Sequence, residues 1–202
     1  LRSASHNYTK PTFALKCDVK QFFASVPHQK LLQIIQRKIK DSRFLWLVEQ
    51  IITGFSSQPL SNDLDCHVVA EPAPSVAWGA PPRSDGIGLP IGNVTSQIFA
   101  NIYLNELDQF IKHTLKVKCY FRYADDFVLL NDNQNILQQQ LKIIDIFLRQ
   151  ELSLLLHPDK VSIKKYSEGV DFLGYVILPH HITLRTKTKR RMFKKLGEKK
   201  RL

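Results

Sequence analysis

The sequence predicts an α+β fold in which an antiparallel sheet packs on helices. Three observations predict it. Apolar residues at helical spacing fall in consecutive blocks instead of alternating one by one with strands. Two β-rich runs, Lys118–Arg122 and Phe127–Leu130, flank a short acidic break and read as a hairpin. A second strand-rich region, Val170–Leu184, lies near the C-terminal end. The order is strand, helices, helix, hairpin, helix, strand, hairpin, with no internal repeat.

With 202 residues, the chain is one large domain or a piece of a longer protein. It begins at Leu1, its only methionine is Met192, and it ends inside a basic run, which suggests a fragment without its natural ends. The hydrophobic fraction of 44% suits a globular protein with a sizeable core, and no window is apolar enough to span a membrane. Nothing at the N-terminus resembles a signal peptide, so a cytoplasmic location is expected. Cys17, Cys66 and Cys119 are widely spaced and odd in number, which argues against a disulfide framework or zinc site. Net charge is +11, and Arg185–Arg201 holds ten lysines and arginines against Glu198 alone. A basic segment beside a near-neutral body suggests a polyanion, nucleic acid before membrane; the plain alternative is a solvated tail.

In chain order, Thr12–Val19 is mostly apolar after Pro11 and reads as a buried strand with Asp18 at its end. Gln21–Pro27 reads as a turn. A helix then starts at Pro27-His28 with Leu31, Leu32, Ile34, Ile35 and Ile39 inward. Asp41 or Ser42 caps the next helix, whose core positions are Leu45, Val48, Ile51 and Ile52. Residues 54–90 break the pattern with recurrent Gly, Pro, Ser and Asp, apart from a short strand candidate at His67–Ala70. A connection of this length in a compact domain is functional, disordered or an insertion. Gly92–Gln97 leads into a long helix with Ile98, Ile102, Leu107, Phe110 and Ile111 at helical spacing, capped by Asn93 or Thr95. After the first hairpin, residues 133–151 form a helix with Ile136, Leu137, Leu141, Ile144 and Leu148 inward. His157–Lys160 is a turn and Val161–Lys165 a short strand. Val170–Leu178 and Ile182–Leu184 form a hairpin turning at Pro179–His181.

The chemistry centres on Tyr123-Ala124-Asp125-Asp126. Adjacent carboxylates at a hairpin tip repel each other unless a hard cation sits between them and a further carboxylate. An acidic turn that stays wet is the plain alternative. Asp18 supplies the further carboxylate if its strand pairs with the hairpin. Such a cluster can hold Mg²⁺, and paired ions can activate an attacking hydroxyl while stabilising a leaving phosphate oxygen.

Four motifs in order resemble reverse transcriptases. They are Phe13-x₄-Asp18-x₃-Phe22-Phe23, Gly88-Leu89-Pro90-Ile91-Gly92-x₃-Ser96-Gln97, Tyr123–Asp126 and Phe172-Leu173-Gly174-Tyr175. They span roughly residues 12–178, and the bacterial branch is the most similar. Ile-Gly-x₃-Ser-Gln in place of the commoner Gln-Gly-x₃-Ser-Pro resembles the enzymes of diversity-generating retroelements, with some phage-defence relatives similar too. The resemblance implies a polymerase right-hand palm with partial fingers over residues 1–184 and the start of a basic thumb over 185–202. The implied activity is RNA-directed DNA polymerisation: deoxynucleotides join a primer 3′-hydroxyl with two Mg²⁺ ions, Mn²⁺ being a substitute. Implied partners are a template RNA, a DNA or RNA primer, dNTPs and, in diversity-generating systems, a small basic accessory protein. A phage-defence or group II intron-like reverse transcriptase and a catalytically silent RNA-binding relative are the alternatives.

Residue by residue, the resemblance implies that Asp18 and Asp125 are the main metal ligands. Asp126 is a weaker or indirect one, and the Val19 carbonyl a further one. Phe23 takes the position of a steric gate against a 2′-hydroxyl, beside Phe22; a core aromatic is its ordinary role. Ile91, beside Gly92, stands where most relatives carry glutamine, and an aliphatic side chain cannot make the amide's hydrogen bonds to a nucleotide. Relaxed nucleotide selection would follow. Ser96 and Gln97 begin the helix beside the template, where Gln97 contacts nucleic acid or caps the helix. Lys160 resembles a general acid for the pyrophosphate leaving group, or is a surface turn lysine. Tyr123 lies in the motif that meets the primer end, and Phe172–Tyr175 resembles the primer grip. Arg185, Lys187, Lys189, Arg190 and Arg191 would track duplex phosphates by charge. Fingers motifs with triphosphate-clamping bases are not recognisable in residues 1–12, and the loop at 54–90 is longer than the motif spacing needs.

Overall fold

The computed structural model describes residues 11–54, 86–90 and 92–199. The strand candidate at His67–Ala70, Cys66 and Ile91 lie outside them. Packing divides the chain into two compact units, Leu1–Gln21 with Leu104–Leu202, and Phe22–Tyr103.

The first unit is built on a four-stranded antiparallel sheet of order β2-β3-β1-β4. Its strands are β1 (Phe13–Asp18), β2 (Cys119–Tyr123), β3 (Asp126–Asn131) and β4 (Ser162–Lys165). The period of two along β1 and β3 sorts their side chains. One face carries Ala14, Lys16 and Asp18 with Leu130, Val128 and Asp126, which are register partners in that order. At the Ala14 end this face joins a buried cluster with Tyr166 and Val170. The other face carries Leu15 and Cys17, both fully buried, and α5 (Gln134–Glu151) lies against β1 and β3. Phe127–Leu130 are buried on both faces, which explains why this stretch reads as a continuous apolar run.

Helix α5 is capped by Asn133, whose side chain accepts from the Asn135 N–H, and it buries Leu137, Ile144 and Leu148. Ile136, expected inward, is exposed. A three-stranded meander follows: β5 (Val170–Phe172), β6 (Tyr175–Ile177) and β7 (Ile182–Leu184). The run Val170–Leu178 is therefore two strands, where one was expected. Leu173 (φ 55°) and Gly174 (φ 81°) are both left-handed. Such a two-residue loop matches the strand twist and closes a tight hairpin, so Phe172 pairs with Tyr175.

In the second unit, residues 21–27 were expected to be a turn but contain a short helix, α1 (Phe22–Ser25). Helix α2 (His28–Lys38) buries Leu31, Ile34 and Ile35 and stops at Ile39, which is extended. Helix α3 (Ser42–Thr53) is capped by Asp41, which accepts from the Phe44 N–H. Its buried stripe is Val48 and Ile52; Ile51 falls off that stripe and is exposed. Residues 86–90 are held against α2 by the buried His28, whose Nε2 lies 2.6 Å from the Gly88 carbonyl oxygen.

Helix α4 (Val94–Gln109) runs from the second unit into the first and ends in a π turn, Phe110–Thr114. It buries Ser96, Phe99, Ala100, Tyr103, Leu104 and Leu107. That stripe has the 3-and-4 spacing of a core face; Ile98, expected inward, stands off it and is 52% exposed. In the first unit, Phe110 stacks on Phe147 of α5 with ring centroids 4.0 Å apart. No helix among the described residues is long and apolar enough to cross a membrane.

Candidate active site

The β1–β3 register sets Asp18 directly opposite Asp126. Asp125 precedes it in the two-residue loop that joins β2 to β3, where Tyr123 pairs with Asp126. Ala124, the other loop residue, is left-handed at φ 50°, a conformation costing an L-residue roughly 1–2 kcal/mol. The Val19 N–H donates to the Asp125 carbonyl at 3.3 Å, which ties the end of β1 to the loop. The His157 N–H donates to the Asp18 carbonyl at 2.8 Å. This places the 3₁₀ turn Pro158–Lys160 beside Asp18.

Among the described residues, two lysines meet these carboxylates. Lys160 Nζ lies 3.1 Å from both carboxylate oxygens of Asp18. Lys16 Nζ lies 3.2 Å from Asp126 Oδ2. Burial pushes the Asp125 carboxyl above its ordinary range; the Asp18 charge adds to this, while its own backbone N–H and Lys160 oppose it. Burial also raises Asp126, opposed by Lys16 and reinforced by Asp18 and Asp125. On the reverse face, burial pushes the Cys17 thiol up to about 12, with the charges of Asp126 and Asp145 adding to the effect.

A further network supports the loop from below. Arg122 on β2 donates through Nε to Asp108 Oδ1 at 2.8 Å and through Nη2 to Asp108 Oδ2. Its Nη1 donates to the Ala124 carbonyl at 3.0 Å. The Tyr120 hydroxyl donates to the same Asp108 at 2.7 Å. Burial and then the Asp108 hydrogen bond push that phenol well above its usual value. Asp108 on α4 thus anchors the arginine that holds the residue before Asp125. Lys16, Asp108 and Arg122 were not singled out from sequence. The available signal was the i, i+2 spacing of Lys16 and Asp18, which puts both on one strand face.

The remaining expected residues divide. Phe22 was expected near a nucleotide, yet it is 2% exposed and meets Phe23 and Tyr103 edge-on or tilted, so its ring is core. Ser96 was expected beside primer or template, but it is 1% exposed with a buried hydroxyl lacking a hydrogen-bond partner; the α4 stripe takes it inward. Val19 is buried. Phe23 is half-buried, and Gly92 and Gln97 are exposed. Tyr123, Leu173 and Tyr175 are exposed and Phe172 half-buried. Arg185, Lys187, Lys189, Arg190 and Arg191 are all exposed at the start of α6 (Thr186–Lys199) or just before it. Arg185 pairs with Asp171 at 2.8 Å.

Among the described residues, no three His, Cys, Asp or Glu side chains stand ready to hold a metal ion as arranged. Their chemistry nevertheless suits a hard divalent cation, which prefers carboxylate oxygens. Asp126 Oδ1 is buried with no hydrogen-bond partner, and the raised Asp125 and Asp126 are groups that an added positive charge would relieve. The two ammonium groups now carry part of that task.

An antiparallel sheet presenting paired carboxylates, backed by helices, is the fold of a right-hand polymerase palm. The chain belongs to the reverse transcriptase (RNA-dependent DNA polymerase) family, whose model matches residues 2–177. It is 32% identical over 114 residues to an uncharacterized 91 kDa protein in the cob intron of Schizosaccharomyces pombe, covering 56% of this chain and 12% of that protein. It is 24% identical over 220 residues to a putative COX1/OXI3 intron 2 protein of Saccharomyces cerevisiae, covering 80% of this chain and 23% of that one. The chain thus spans under a quarter of the length of either relative. Among solved structures, apo telomerase from Candida tropicalis shares the fold with a TM-score of 0.62 at 14% identity, over 88% of this chain and 33% of that one.

Proposed function

We propose that this chain is the catalytic palm of an RNA-directed DNA polymerase that extends a primer 3′-hydroxyl with deoxynucleotides on an RNA template. The observation that carries the reading is the register that sets Asp18 opposite Asp126 with Asp125 in the adjoining loop. In this reading Asp18 and Asp125 hold the catalytic Mg²⁺ ions, with the Val19 carbonyl as a lesser contributor and Asp126 acting on them indirectly. Those ions, when bound, activate the 3′-hydroxyl and stabilise charge on the leaving oxygen. The new bond joins the 3′-oxygen to the α-phosphorus, and the α–β phosphoanhydride bond breaks. Lys160, a flexible ammonium already at the site, supplies a proton to the departing pyrophosphate. Phe23 excludes a 2′-hydroxyl, the Phe172–Tyr175 hairpin meets the primer, and residues 185–202 begin a thumb that follows duplex phosphates.

Residues Ile91-Gly92 and Ser96-Gln97 support a finer reading: error-prone copying of a template RNA in a diversity-generating retroelement, with an accessory basic protein as partner. The intron origin of the two fungal relatives supports an intron-encoded enzyme instead. Primer extension on RNA with Mg²⁺ by the whole protein, beside Asp125→Asn, tests the main proposal. Extension that depends on template and on Asp125 is expected. Untemplated product would favour a defence-type enzyme, and no product at all a silent RNA-binding relative. Ile91→Gln separates the finer readings: fewer misincorporations support the retroelement, and an unchanged error rate removes it.

A further inference from the structure

We infer that Lys16 is a resident counter-cation that reserves Asp126 for itself and confines the divalent ion to Asp18 and Asp125. The inference rests on the active-site reading above and concerns the same carboxylates.

Two lysines touch the acidic cluster, but their mountings differ. Lys160 sits on a 3₁₀ turn, and its side chain is 52% exposed. Among the described residues its ammonium meets Asp18 alone, so it can leave when a stronger cation arrives. Lys16 lies within β1, which is hydrogen-bonded to β3 on one side and β4 on the other. Its register partners are Val128 and Ser162, and its side chain is 23% exposed. Its ammonium is thus held on a face less open to water than that of Lys160.

The geometry also fixes which carboxylate Lys16 serves. Lys16 and Asp18 project from the same face of β1, and Asp126 faces Asp18 across the β1–β3 pair. The ammonium therefore reaches diagonally to Asp126 Oδ2, at 3.2 Å. A divalent ion bound by Asp126 would lie a few ångströms from this fixed charge. At about 5 Å, the repulsion between a double and a single positive charge weakens binding by about tenfold even with water-like screening. An ion shared by Asp18 and Asp125 displaces only the mobile Lys160. Asp126 then acts as a charge-paired group that anchors Lys16 and shapes the field.

The test is Mn²⁺ binding by the purified chain, followed by electron paramagnetic resonance and titration calorimetry without nucleotide. Wild type is expected to bind Mn²⁺ in a manner abolished by Asp18→Asn or Asp125→Asn, while Asp126→Asn weakens binding by about tenfold, because Lys16 is left uncompensated. Lys16→Met should tighten binding about tenfold by removing the fixed charge, and the gain should vanish in Lys16→Met/Asp126→Asn. Lys16→Arg should bind like wild type. Thermal melting adds a second readout: added Mn²⁺ should raise the melting temperature of Lys16→Met more than that of wild type. Unchanged or weaker binding by folded Lys16→Met, or binding in Lys16→Met/Asp126→Asn that stays well below wild type, overturns the inference and leaves the active site standing. If Lys16→Met does not fold, the double variant, which leaves neither charge unpaired, decides alone: binding like wild type supports the inference and weak binding overturns it. Absence of any Asp18- and Asp125-dependent binding overturns the active-site reading, and the inference with it.

Discussion

Replacing Arg122 by methionine should damage the molecule at the acidic loop first. The guanidinium is 11% exposed and its partner Asp108 is 27% exposed. It holds both Asp108 oxygens and the Ala124 carbonyl, and Asp108 also accepts from Tyr120. Removing one member of a buried pair costs about 3–5 kcal/mol, because the other charge stays desolvated. Asp108 keeps the Tyr120 hydroxyl and some water, so the lower end applies, roughly 3 kcal/mol. For a chain of this size that lowers the melting temperature by about 6–12 °C. Asp108→Asn should cost less alone, and the double variant should fall short of the sum of the singles by about 1–3 kcal/mol. Arg122→Lys should rescue little, because an ammonium cannot reproduce the two-pronged fork. Urea denaturation of the four proteins gives the cycle. Hydrogen exchange at residues 124–126 should show the loop amides losing protection before the β1 amides. A cost for Arg122→Met below about 1 kcal/mol, or strictly additive singles, would refute the claim that this arginine braces the loop.

The other predictions concern charge and backbone. Asp125 and Asp126 have folded-state values raised by burial and by neighbouring carboxylates, Asp18 above all. Between the ordinary carboxylate range and those raised values, the folded chain binds more protons than the unfolded one. Their contribution to stability is therefore present at acid pH and lost as pH rises through the folded values. In metal-free buffer at neutral pH, Asp125→Asn should stabilise the fold by about 1 kcal/mol, as often happens when an active-site charge is removed; a lower melting temperature would contradict this. Gly174→Ala meets no close contact except Thr188 Oγ1 at 3.6 Å, so its cost should come from the left-handed backbone alone, roughly 1 kcal/mol in chemical denaturation. Helix α6 should bind duplex through phosphates, so affinity should fall steeply with salt, and each exposed charge removed from 187–191 should lower the log–log slope by about one. Phe23→Ala should admit ribonucleotides in primer extension; retained discrimination would remove the gate.

The sequence exposed the carboxylates and hid their partners, for a physical reason. Asp18, Asp125 and Asp126 stand out because acids at the ends of apolar runs conflict with their surroundings, and such conflicts mark functional sites. Lys16 creates no conflict. Within a strand that alternates faces, a lysine reads as the solvent-facing position. Only the β1–β3 register reveals that its neighbour across the sheet is an aspartate. Asp108 and Arg122 are hidden for the same reason, lying on different elements and fourteen residues apart. The helices were readable where two or more large apolar residues shared a stripe, as in α2. In α4 and the π turn after it, Leu107 and Ile111 are buried as expected, but at the start of the helix the inward stripe includes Ser96 and Ala100 and the branched Ile98 faces out. Small residues on a core face permit close approach and carry little hydrophobic signal, so periodicity alone misplaces Ile98 at that end of the helix.

The pairing of two of the three acids, Asp18 and Asp126, with lysines also changes what the acidic motif means chemically. Three close carboxylates without cations would repel one another strongly enough to shift their protons or their positions. Here the sheet supplies Lys16 from a neighbouring position on the same strand as Asp18, and the turn supplies Lys160. The site can therefore form before any substrate arrives. If Lys160 is the exchangeable charge and Lys16 the permanent one, metal and nucleotide entry should release the Lys160 ammonium from Asp18 towards the incoming phosphates. That release places the proposed proton donor near the leaving group only when a substrate is present. Lys160→Met should then lower the turnover rate far more than nucleotide affinity, while tightening Mn²⁺ binding in the absence of nucleotide. Opposite effects on metal binding and turnover from one substitution would distinguish a placeholder that becomes an acid from a lysine that merely sits on a surface turn. A Lys160→Met protein with unchanged metal affinity and unchanged turnover would reduce it to the latter.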